Sequence, residues 1–254
     1  YHAYEEGVGF VVLKPFVCMI TNFLYILTEE YPAGLLTWGC IFLTGFPVGV
    51  LVTLEAGRQF NQGPITYPTL MGLLFQLGVS IYFPAVWVPA YCLWGSDKGY
   101  VALARARAAF PMACPGVILS VLVFVLDHNS YAWMVCAGIL GGPMLPMIAL
   151  LLIGVGPPLA MTKFDQVMSV ETSAMAYGIS GVVSLLGWFY LMYVVAVEYG
   201  IDYEALWKDI WSEANPAVKF MTIDAVVLWV GLVIFISYRN WPSLLEAVLF
   251  TPFF

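Results

Sequence analysis

Charged residues are scarce in this chain of 254 residues. Only 10% are Asp, Glu, Lys or Arg, whereas about 25% are charged in a soluble globular domain. Hydrophobic residues make up 62%, so polar side chains are too few to cover a surface that faces water. The 9 basic residues are outnumbered by 16 acidic ones, which argues against nucleic acid as a partner. The composition predicts an integral membrane protein whose surroundings are the lipid bilayer.

Metal ligands and familiar catalytic motifs are also rare. The chain has two histidines and five cysteines, the cysteines lie in or beside apolar runs, and no CxxC occurs. These features exclude a cluster of several histidines and favour cysteines that act as small buried apolar residues. The sequence also lacks GxSxG, GxxxxGK[ST] and HExxH. We therefore expect neither a metal nor another cofactor.

Long apolar runs, in contrast, fill the chain. A membrane helix needs about 20 mostly apolar residues, and this criterion predicts seven spans, at 7–27, 33–54, 69–94, 112–126, 131–153, 175–197 and 217–237. The alternating pattern of membrane β-strands is absent. No polar linker separates the runs, so residues 1–254 are expected to form one all-α domain, a compact bundle of seven transmembrane helices. Residues 243–254 are expected to lie on the membrane surface.

Basic residues between the predicted spans indicate an orientation. Seven spans place the two termini on opposite faces of the membrane. The face of the C-terminus would carry more basic residues than the other face, so the positive-inside rule predicts a cytosolic C-terminus. We expect a multi-pass protein of the endoplasmic reticulum. The residues compared are Lys98, Arg105, Arg107, Lys163 and Arg239 on the first face, and Arg58, Lys208 and Lys219 on the second.

Asp224 is the most unusual polar residue, because it lies about two turns inside the last predicted span. A carboxyl group in the membrane is costly unless it is protonated, paired or next to a wet cavity, so function is its default interpretation. Burial disfavours the ionised form and leaves a group that can donate a proton. The alternative is a hydrogen bond that holds two helices together.

Glu55 and Arg58 form a second candidate site, at the end of the second predicted span. Their spacing of three residues places both side chains on one face of a helix. The alternative interpretation is an ion pair that merely ends the helix. Asn61, Tyr67 and Gln76 add polar groups near the same end. The many aromatic residues are mostly expected in the interfacial belts and the core, but some can line a pocket for a flexible polyene or its cation.

Three segments around Glu55 resemble a known family. LEAGRQFNQGPITYP (54–68), GLLFQL (72–77) and FP (83–84) resemble the fungal integral-membrane terpene cyclases of the ascofuranone and macrophorin meroterpenoid pathways. The resemblance covers the second and third predicted spans, and Asp224 is a looser correspondence in the seventh.

The resemblance implies a metal-independent cyclase. Its substrate would be a lipophilic prenylated epoxide, a farnesyl chain on an aromatic or polyketide head. A Brønsted acid would protonate the epoxide, and a carbocation cyclisation would follow. Asp224 and Glu55 would share the roles of acid and final base. The substrate-binding residues would be Arg58, Asn61, Tyr67, Gln76, Trp87 and Trp229.

A protein without enzymatic activity is the alternative. A small membrane transporter or receptor would use Asp224 as a proton or cation site. Inverted repeats would favour transport, and none is evident. A retinal photoreceptor would need a lysine within the last span, whereas Lys219 lies at its edge. The oligomeric state stays open.

Overall fold

The regular elements of this protein are helices. The computed structural model describes residues 14–68, 70, 72, 74, 81–141, 161–200, 202–212 and 216–239. Within these ranges the only extended pairing is one isolated antiparallel bridge between Arg58 and Val101. The helices are α1 (Lys14–Glu29), α2 (Ala33–Ala56), α3 (Val88–Trp94), α4 (Leu103–Val125), α5 (Tyr131–Gly141), α6 (Lys163–Glu198), α7 (Tyr203–Ile210) and α8 (Pro216–Arg239). A 3-10 turn, Gly63–Thr66, follows α2, and a π-helical turn, Phe83–Trp87, precedes α3. The all-α prediction is confirmed.

Four of these helices, α2, α4, α6 and α8, are long and apolar enough to cross a membrane. The predicted count of seven spans is not confirmed. Parts of three predicted spans, together with the predicted surface segment 243–254, lie outside the described residues. Both α2 and α8 agree closely with their predicted bounds.

The predicted starts of α4 and α6 were too late. Helix α4 begins at Leu103 instead of residue 112, because its alanine-rich first turns are strongly helical although they carry two arginines. Helix α6 begins at Lys163 instead of residue 175. A capping box between Thr162 and Asp165 satisfies its first N–H groups. Hydropathy alone misses such polar helix starts.

One end of the bundle gathers the end of α2 with the starts of α4 and α6. The Ala102 N–H donates to the Gly57 carbonyl over 2.7 Å, and the Gln59 N–H donates to the Tyr100 carbonyl over 3.1 Å. The Ser169 hydroxyl of α6 donates to the Val101 carbonyl. We call this region the Glu55 end; it comprises residues 57–68, residues 95–102 and the helix termini that adjoin them.

The other end joins the start of α2 to the end of α6. The Tyr31 hydroxyl donates to Glu198 over 3.1 Å, and His128 Nδ1 lies 3.2 Å from Glu29 Oε1. We call this region the Glu198 end; it comprises residues 29–32, 127–130 and 198–212. Helix α2 runs towards the Glu55 end, whereas α4 and α6 run away from it. Helix α2 is therefore antiparallel to both of these neighbours.

The described residues on the two sides of the predicted third span lie at the same end of the bundle. The Gln62 N–H donates to the Trp94 carbonyl over 3.0 Å, and the Ser96 N–H donates to Asn61 Oδ1 over 2.7 Å. Both ends of segment 69–94 therefore lie at the Glu55 end, whereas a helix that crossed once would separate them. Arg58 consequently lies on the same side as Lys98, and its predicted position on the opposite face was wrong.

Charge is divided between the two ends. Basic residues predominate at the Glu55 end, where they are Arg58, Lys98, Arg105, Arg107, Lys163 and Arg239, while Lys208 and Lys219 lie towards the Glu198 end. Acidic residues predominate at the Glu198 end, where they are Glu29, Glu30, Asp127, Glu198, Asp202, Glu204 and Asp209.

Helix α2 is the centre of the bundle and packs against α4, α6 and α8. Its contact with α6 depends on small residues, since a Cβ at Gly187 would collide with the Leu43 side chain. One face of α8 supplies a buried stripe at helical spacing, formed by Met221, Asp224, Leu228, Gly231 and Phe235. Next to the Glu55 end, Leu228 and Phe235 pack with Val48, Trp87 and Tyr91.

Candidate functional site

A buried carboxylate with several donors lies at the Glu55 end. Glu55 is in the last turn of α2 and is 3% exposed. Arg58 binds it in a bidentate manner, with Nε 2.7 Å from Oε2 and Nη2 2.8 Å from Oε1. The Tyr91 hydroxyl donates to Oε2 over 2.6 Å, and Arg239 Nη2 lies 3.9 Å from the same oxygen. Charge-assisted bidentate contacts are strong and directional, so the carboxylate is held firmly as an acceptor.

The local sequence explains how Arg58 reaches Glu55. Helix α2 ends at Ala56, and the Gly57 N–H bonds back to the Leu54 carbonyl. Arg58 is therefore just outside the helix, not on a helical face as predicted, although its predicted pairing with Glu55 is confirmed. A Cβ at Gly57 would come within 3.1 Å of Val101 and Arg105, so this close approach needs a glycine.

Asn61 supports the site through the backbone. Its Nδ2 donates to the Glu55 carbonyl oxygen, and its Oδ1 accepts from the Ser96 N–H. Asn61 thus connects the end of α2 to the loop after α3. This contact holds the backbone of Glu55 in place, and the expectation that Asn61 binds substrate stays a prediction.

Tyr91 and Arg239 complete the cluster, and the sequence had not identified either as a site residue. Arg239 Nη1 donates to the Tyr91 hydroxyl over 2.9 Å, and its guanidinium carbon lies 5.6 Å from the Tyr91 ring centre. The hydrogen bond to Glu55 raises the pKa of Arg58 above its ordinary value, so this guanidinium stays charged. Two cations therefore face one carboxylate, and the cluster carries an excess of positive charge.

Stacked aromatic rings connect this cluster to an apolar cavity. The Phe83 and Trp87 rings are stacked with their centroids 5.3 Å apart, and the Trp87 and Tyr91 rings are stacked with their centroids 5.2 Å apart. The cavity, of about 120 Å³, lies between these aromatic residues and α2, and its lining includes Gly45, Gly49, Thr53, Tyr82, Phe83 and Trp87. An apolar cavity of about 150 Å³ holds one benzene molecule. This space is smaller than that cavity, so a bound ring or prenyl segment would require it to widen.

A second, more polar cleft lies beyond Arg58. It has a volume of about 160 Å³, and its lining includes Arg58, Tyr100, Ser169, Ser173 and Tyr177. The Ser173 hydroxyl is buried and has no hydrogen-bond partner among the described residues. The side chains of Trp87, Tyr91, Glu55 and Arg58, each in contact with the next, lie between the two spaces.

Asp224 is also buried, but it lies further along α8 from the Glu55 end than Arg239 does. It is 8% exposed and belongs to the buried stripe of α8. Arg239 contacts the Glu55 cluster 15 residues further along the same helix, which corresponds to about 22 Å at a rise of 1.5 Å per residue. The structure therefore does not bring the two carboxyl groups together. Asp224 is one helical turn from Leu228, which packs against the aromatic residues beside the cavity.

The remaining predicted site residues are distributed around these features. Trp87 is buried and lines the apolar cavity. Trp229 is half-buried on α8, between Asp224 and Arg239. Tyr67 follows the 3-10 turn and is 36% exposed. Gln76 lies outside the described residues.

Known proteins give no independent identification. Comparison of the chain with protein-family models, with curated proteins and with solved structures finds no match. Among the described residues, no group of three or more His, Cys, Asp or Glu side chains is arranged to hold a metal ion. A function therefore has to be inferred from the geometry of the site.

Proposed function

We propose that this protein is a membrane terpene cyclase that converts an epoxidised farnesyl chain, carried on an aromatic or polyketide head, into a ring product without a metal. One observation carries the proposal. Stacked aromatic rings extend from an apolar cavity to a buried carboxylate that is already hydrogen-bonded to a tyrosine and an arginine. The resemblance of residues 54–84 to fungal meroterpenoid cyclases supports the same reaction.

The proposed reaction is an isomerisation. A carboxylic acid protonates the epoxide oxygen, the carbon–oxygen bond breaks, and a double bond of the prenyl chain attacks the resulting cation to form a carbon–carbon bond. Loss of a proton to a base then ends the sequence, so substrate and product have equal mass. Aromatic faces stabilise the cation, and an apolar cavity excludes the water that would intercept it.

The positions of the two carboxyl groups favour different roles. Asp224 is buried in α8, a helix long and apolar enough to cross a membrane, where a carboxyl group is costly and function is its default interpretation, so we assign it the role of the acid. Glu55 accepts hydrogen bonds on both oxygens, so it suits the final base. Tyr91 lies between Glu55 and the aromatic stack.

The substrate is larger than the cavity. A space of about 120 Å³ is smaller than the cavity that holds one benzene molecule, so a complete farnesyl chain requires this region to widen. A substantial minority of complexes show loop rearrangements on binding, and entry of this substrate requires one. The substrate is lipophilic and reaches the site from the bilayer.

The proposed location is the endoplasmic reticulum membrane. Six crossings fit the directions of the helices, with segment 69–94 entering and leaving at the Glu55 end. The positive-inside rule then places the Glu55 end, with its basic residues, in the cytosol. The start of α1 and the end of α8 would both lie on this face.

The test is turnover in membranes that contain the protein. Membranes are incubated with an epoxy-farnesyl phenol, and the expected result is a cyclic isomer of equal mass. Membranes with Glu55→Gln at matched expression serve as the control and should give little of this isomer.

The alternative function is transport or reception, with Asp224 as a proton or cation site. The burial of Asp224 within a membrane-spanning helix favours it, because such carboxyl groups also serve in proton pathways. Absence of any isomer from folded protein, together with proton-driven uptake into vesicles, would overturn the cyclase proposal in favour of this alternative.

A further inference from the structure

Arg58 lines the polar cleft and keeps donors available there. Its side chain remains 20% exposed although it is paired with Glu55. A guanidinium has five N–H groups, of which Arg58 uses two for Glu55 and one for the Gly99 carbonyl. One N–H on each terminal nitrogen therefore has no partner among the described residues. Arg58 can hold its own carboxylate and still bind a further acceptor in the cleft.

A tyrosine hydroxyl adds a second donor at the same place. The Tyr177 side chain also lines the cleft and is 38% exposed. Its hydroxyl is near enough to Arg58 and Glu55 for their charges to act on it. Within the described part of the chain this hydroxyl has no hydrogen-bond partner, and a hydroxyl can rotate to suit an incoming acceptor.

Two exposed lysines flank the cleft. Lys98 adjoins Gly99, which lines the cleft, and Lys163 precedes the lining residue Val170 by about two helical turns. Residues seven apart share one face of a helix, so Lys163 and Val170 lie on the same side of α6. Neither lysine has a salt bridge within the described ranges. Both charges are therefore available to attract an anion towards the cleft.

The acidic residues at this end do not cancel these charges. Glu55 is held by Arg58, and Asp165 accepts the N-cap bonds of its own helix. Asp97 and Glu171 are exposed. These four are outnumbered by the basic residues of the same end, which are Arg58, Lys98, Arg105, Arg107, Lys163 and Arg239. The cleft therefore favours a ligand of negative charge.

The cleft continues onto the outer surface of α6. Val170, at its edge, is 53% exposed, and a Cβ at Gly181, one turn beyond Tyr177, would meet nothing within 4 Å. Helix α6 is long and apolar enough to cross a membrane, where lipid chains would pack against such a surface. A ligand with a charged group in the cleft and an apolar chain along α6 matches both parts.

We propose that this cleft binds an anionic phospholipid, whose phosphate oxygens accept from Arg58 and Tyr177 while an acyl chain lies along α6. Arginine binds phosphate through strong and directional charge-assisted hydrogen bonds. The volume of about 160 Å³ is close to the roughly 150 Å³ that hold one benzene molecule, and a phosphate group has fewer heavy atoms than benzene. The Glu55 end, proposed above to face the cytosol, adjoins the leaflet that carries anionic lipids. This site does not depend on the proposed reaction.

Lipid binding to the complete protein in detergent tests the site without turnover. The protein is stripped of lipid and titrated with dioleoyl phosphatidate, and binding is followed by native mass spectrometry and by the rise in melting temperature. We expect one saturable site, with at least tenfold weaker binding of dioleoyl phosphatidylcholine, which has the same chains and no net charge. Tyr177→Phe should weaken phosphatidate binding about tenfold, as befits a hydrogen bond to a charged acceptor. The double variant Lys98→Gln, Lys163→Gln should weaken it about fivefold.

Matched controls remove the same groups at the other end of the bundle. Tyr193→Phe changes an exposed tyrosine of the same helix, and Lys208→Gln changes an exposed lysine. Both variants should bind phosphatidate as the wild type does. All the substituted side chains are exposed, so every variant should melt like the wild type in the absence of lipid.

Inorganic phosphate distinguishes a lipid from a soluble anion. We expect no stabilisation by phosphate at the concentration at which phosphatidate saturates the protein. Phosphate that binds as tightly as phosphatidate would assign the cleft to a soluble anion and overturn the proposal. Equal affinity for phosphatidate in the wild type, in Tyr177→Phe and in the lysine double variant would also overturn it, because binding would then lie elsewhere on the protein.

Discussion

The two ends of the bundle use charged pairs in opposite ways. At the Glu55 end, the Glu55 side chain is 4% exposed and the paired Arg58 side chain 20%. At the Glu198 end, Lys208 and Glu204 form a contact of the same length, 2.7 Å, but their side chains are 72% and 78% exposed. Exposed pairs contribute roughly 0–1 kcal/mol, whereas breaking a buried pair leaves an uncompensated charge. Distance alone therefore does not distinguish the two pairs, but burial and additional donors do.

The clearest difference between the ends is the membrane face on which each lies. In a background without the five native cysteines, Gln62→Cys and Asp97→Cys should react with a membrane-impermeant maleimide from the same side, because residues 62 and 96 both lie at the Glu55 end. Asp202→Cys should react only from the other side. A single crossing between residues 69 and 94 requires Gln62→Cys and Asp97→Cys to react from opposite sides, so that pattern would contradict the structure.

Removal of the Glu55 charge should have the largest effect on activity. Glu55→Gln leaves Arg58 and Arg239 without their anion, so we expect a loss of about 3–5 kcal/mol in the free energy of unfolding. Turnover should fall by about 10²–10⁴-fold if Glu55 is the final base. Activity is measured in membranes at matched expression, and stability is measured by thermal unfolding in detergent.

The matched control for this change is Glu204→Gln at the other end. It removes the same group from an exposed pair, and we expect a change below about 1 kcal/mol with normal turnover. Equal destabilisation by the two substitutions would show that the burial of Glu55 does not distinguish the two ends.

Asp224 tests whether a second carboxyl group acts at a distance from the first. Asp224→Asn keeps the shape of the side chain and removes the transferable proton. If Asp224 is the acid, turnover falls by about 10²–10⁴-fold while the protein still inserts. A structural hydrogen bond in a membrane is worth only about 0.6–2 kcal/mol, and in that case the amide would keep most of the activity.

The separation of the two carboxyl groups gives this experiment a second readout. Sites more than about 7–10 Å apart usually change stability additively, within about 0.5 kcal/mol. The destabilisation of the double variant Glu55→Gln, Asp224→Asn should therefore equal the sum of the single effects. A clear departure from additivity would argue against the separation of about 22 Å along α8.

The part of the structure that follows from local sequence was predictable. Apolar runs defined the helical fold and the bounds of α2 and α8, since burial in lipid requires such runs. The Glu55–Arg58 pair was also predictable, because a spacing of three residues brings side chains together in or beside a helix. The polar first turns of α4 and α6 were missed because they do not contribute to hydropathy.

The rest of the site depends on how distant segments meet. Arg239 reaches Tyr91 only because α8 runs in the same direction as α2, and hydropathy contains no information on that direction. A segment that enters and leaves on one face is as apolar as one that crosses, so segment 69–94 was assigned a single crossing. Such contacts between segments distant in sequence need a structure.

The smallest expected effect concerns the approach of α8 to the aromatic stack. A Cβ at Gly231 would lie 2.8 Å from Phe83 Cδ1 and 3.0 Å from two atoms of Pro84. Gly231→Ala should therefore cost about 1–3 kcal/mol through overpacking, which outweighs the gain in helix propensity of about 1 kcal/mol. Gly181→Ala in α6 is the matched control, since its Cβ would meet nothing within 4 Å, and it should be neutral or stabilising. Thermal unfolding of both variants in detergent gives the comparison. If Gly231→Ala were as stable as Gly181→Ala, this result would contradict tight packing of the aromatic stack against α8.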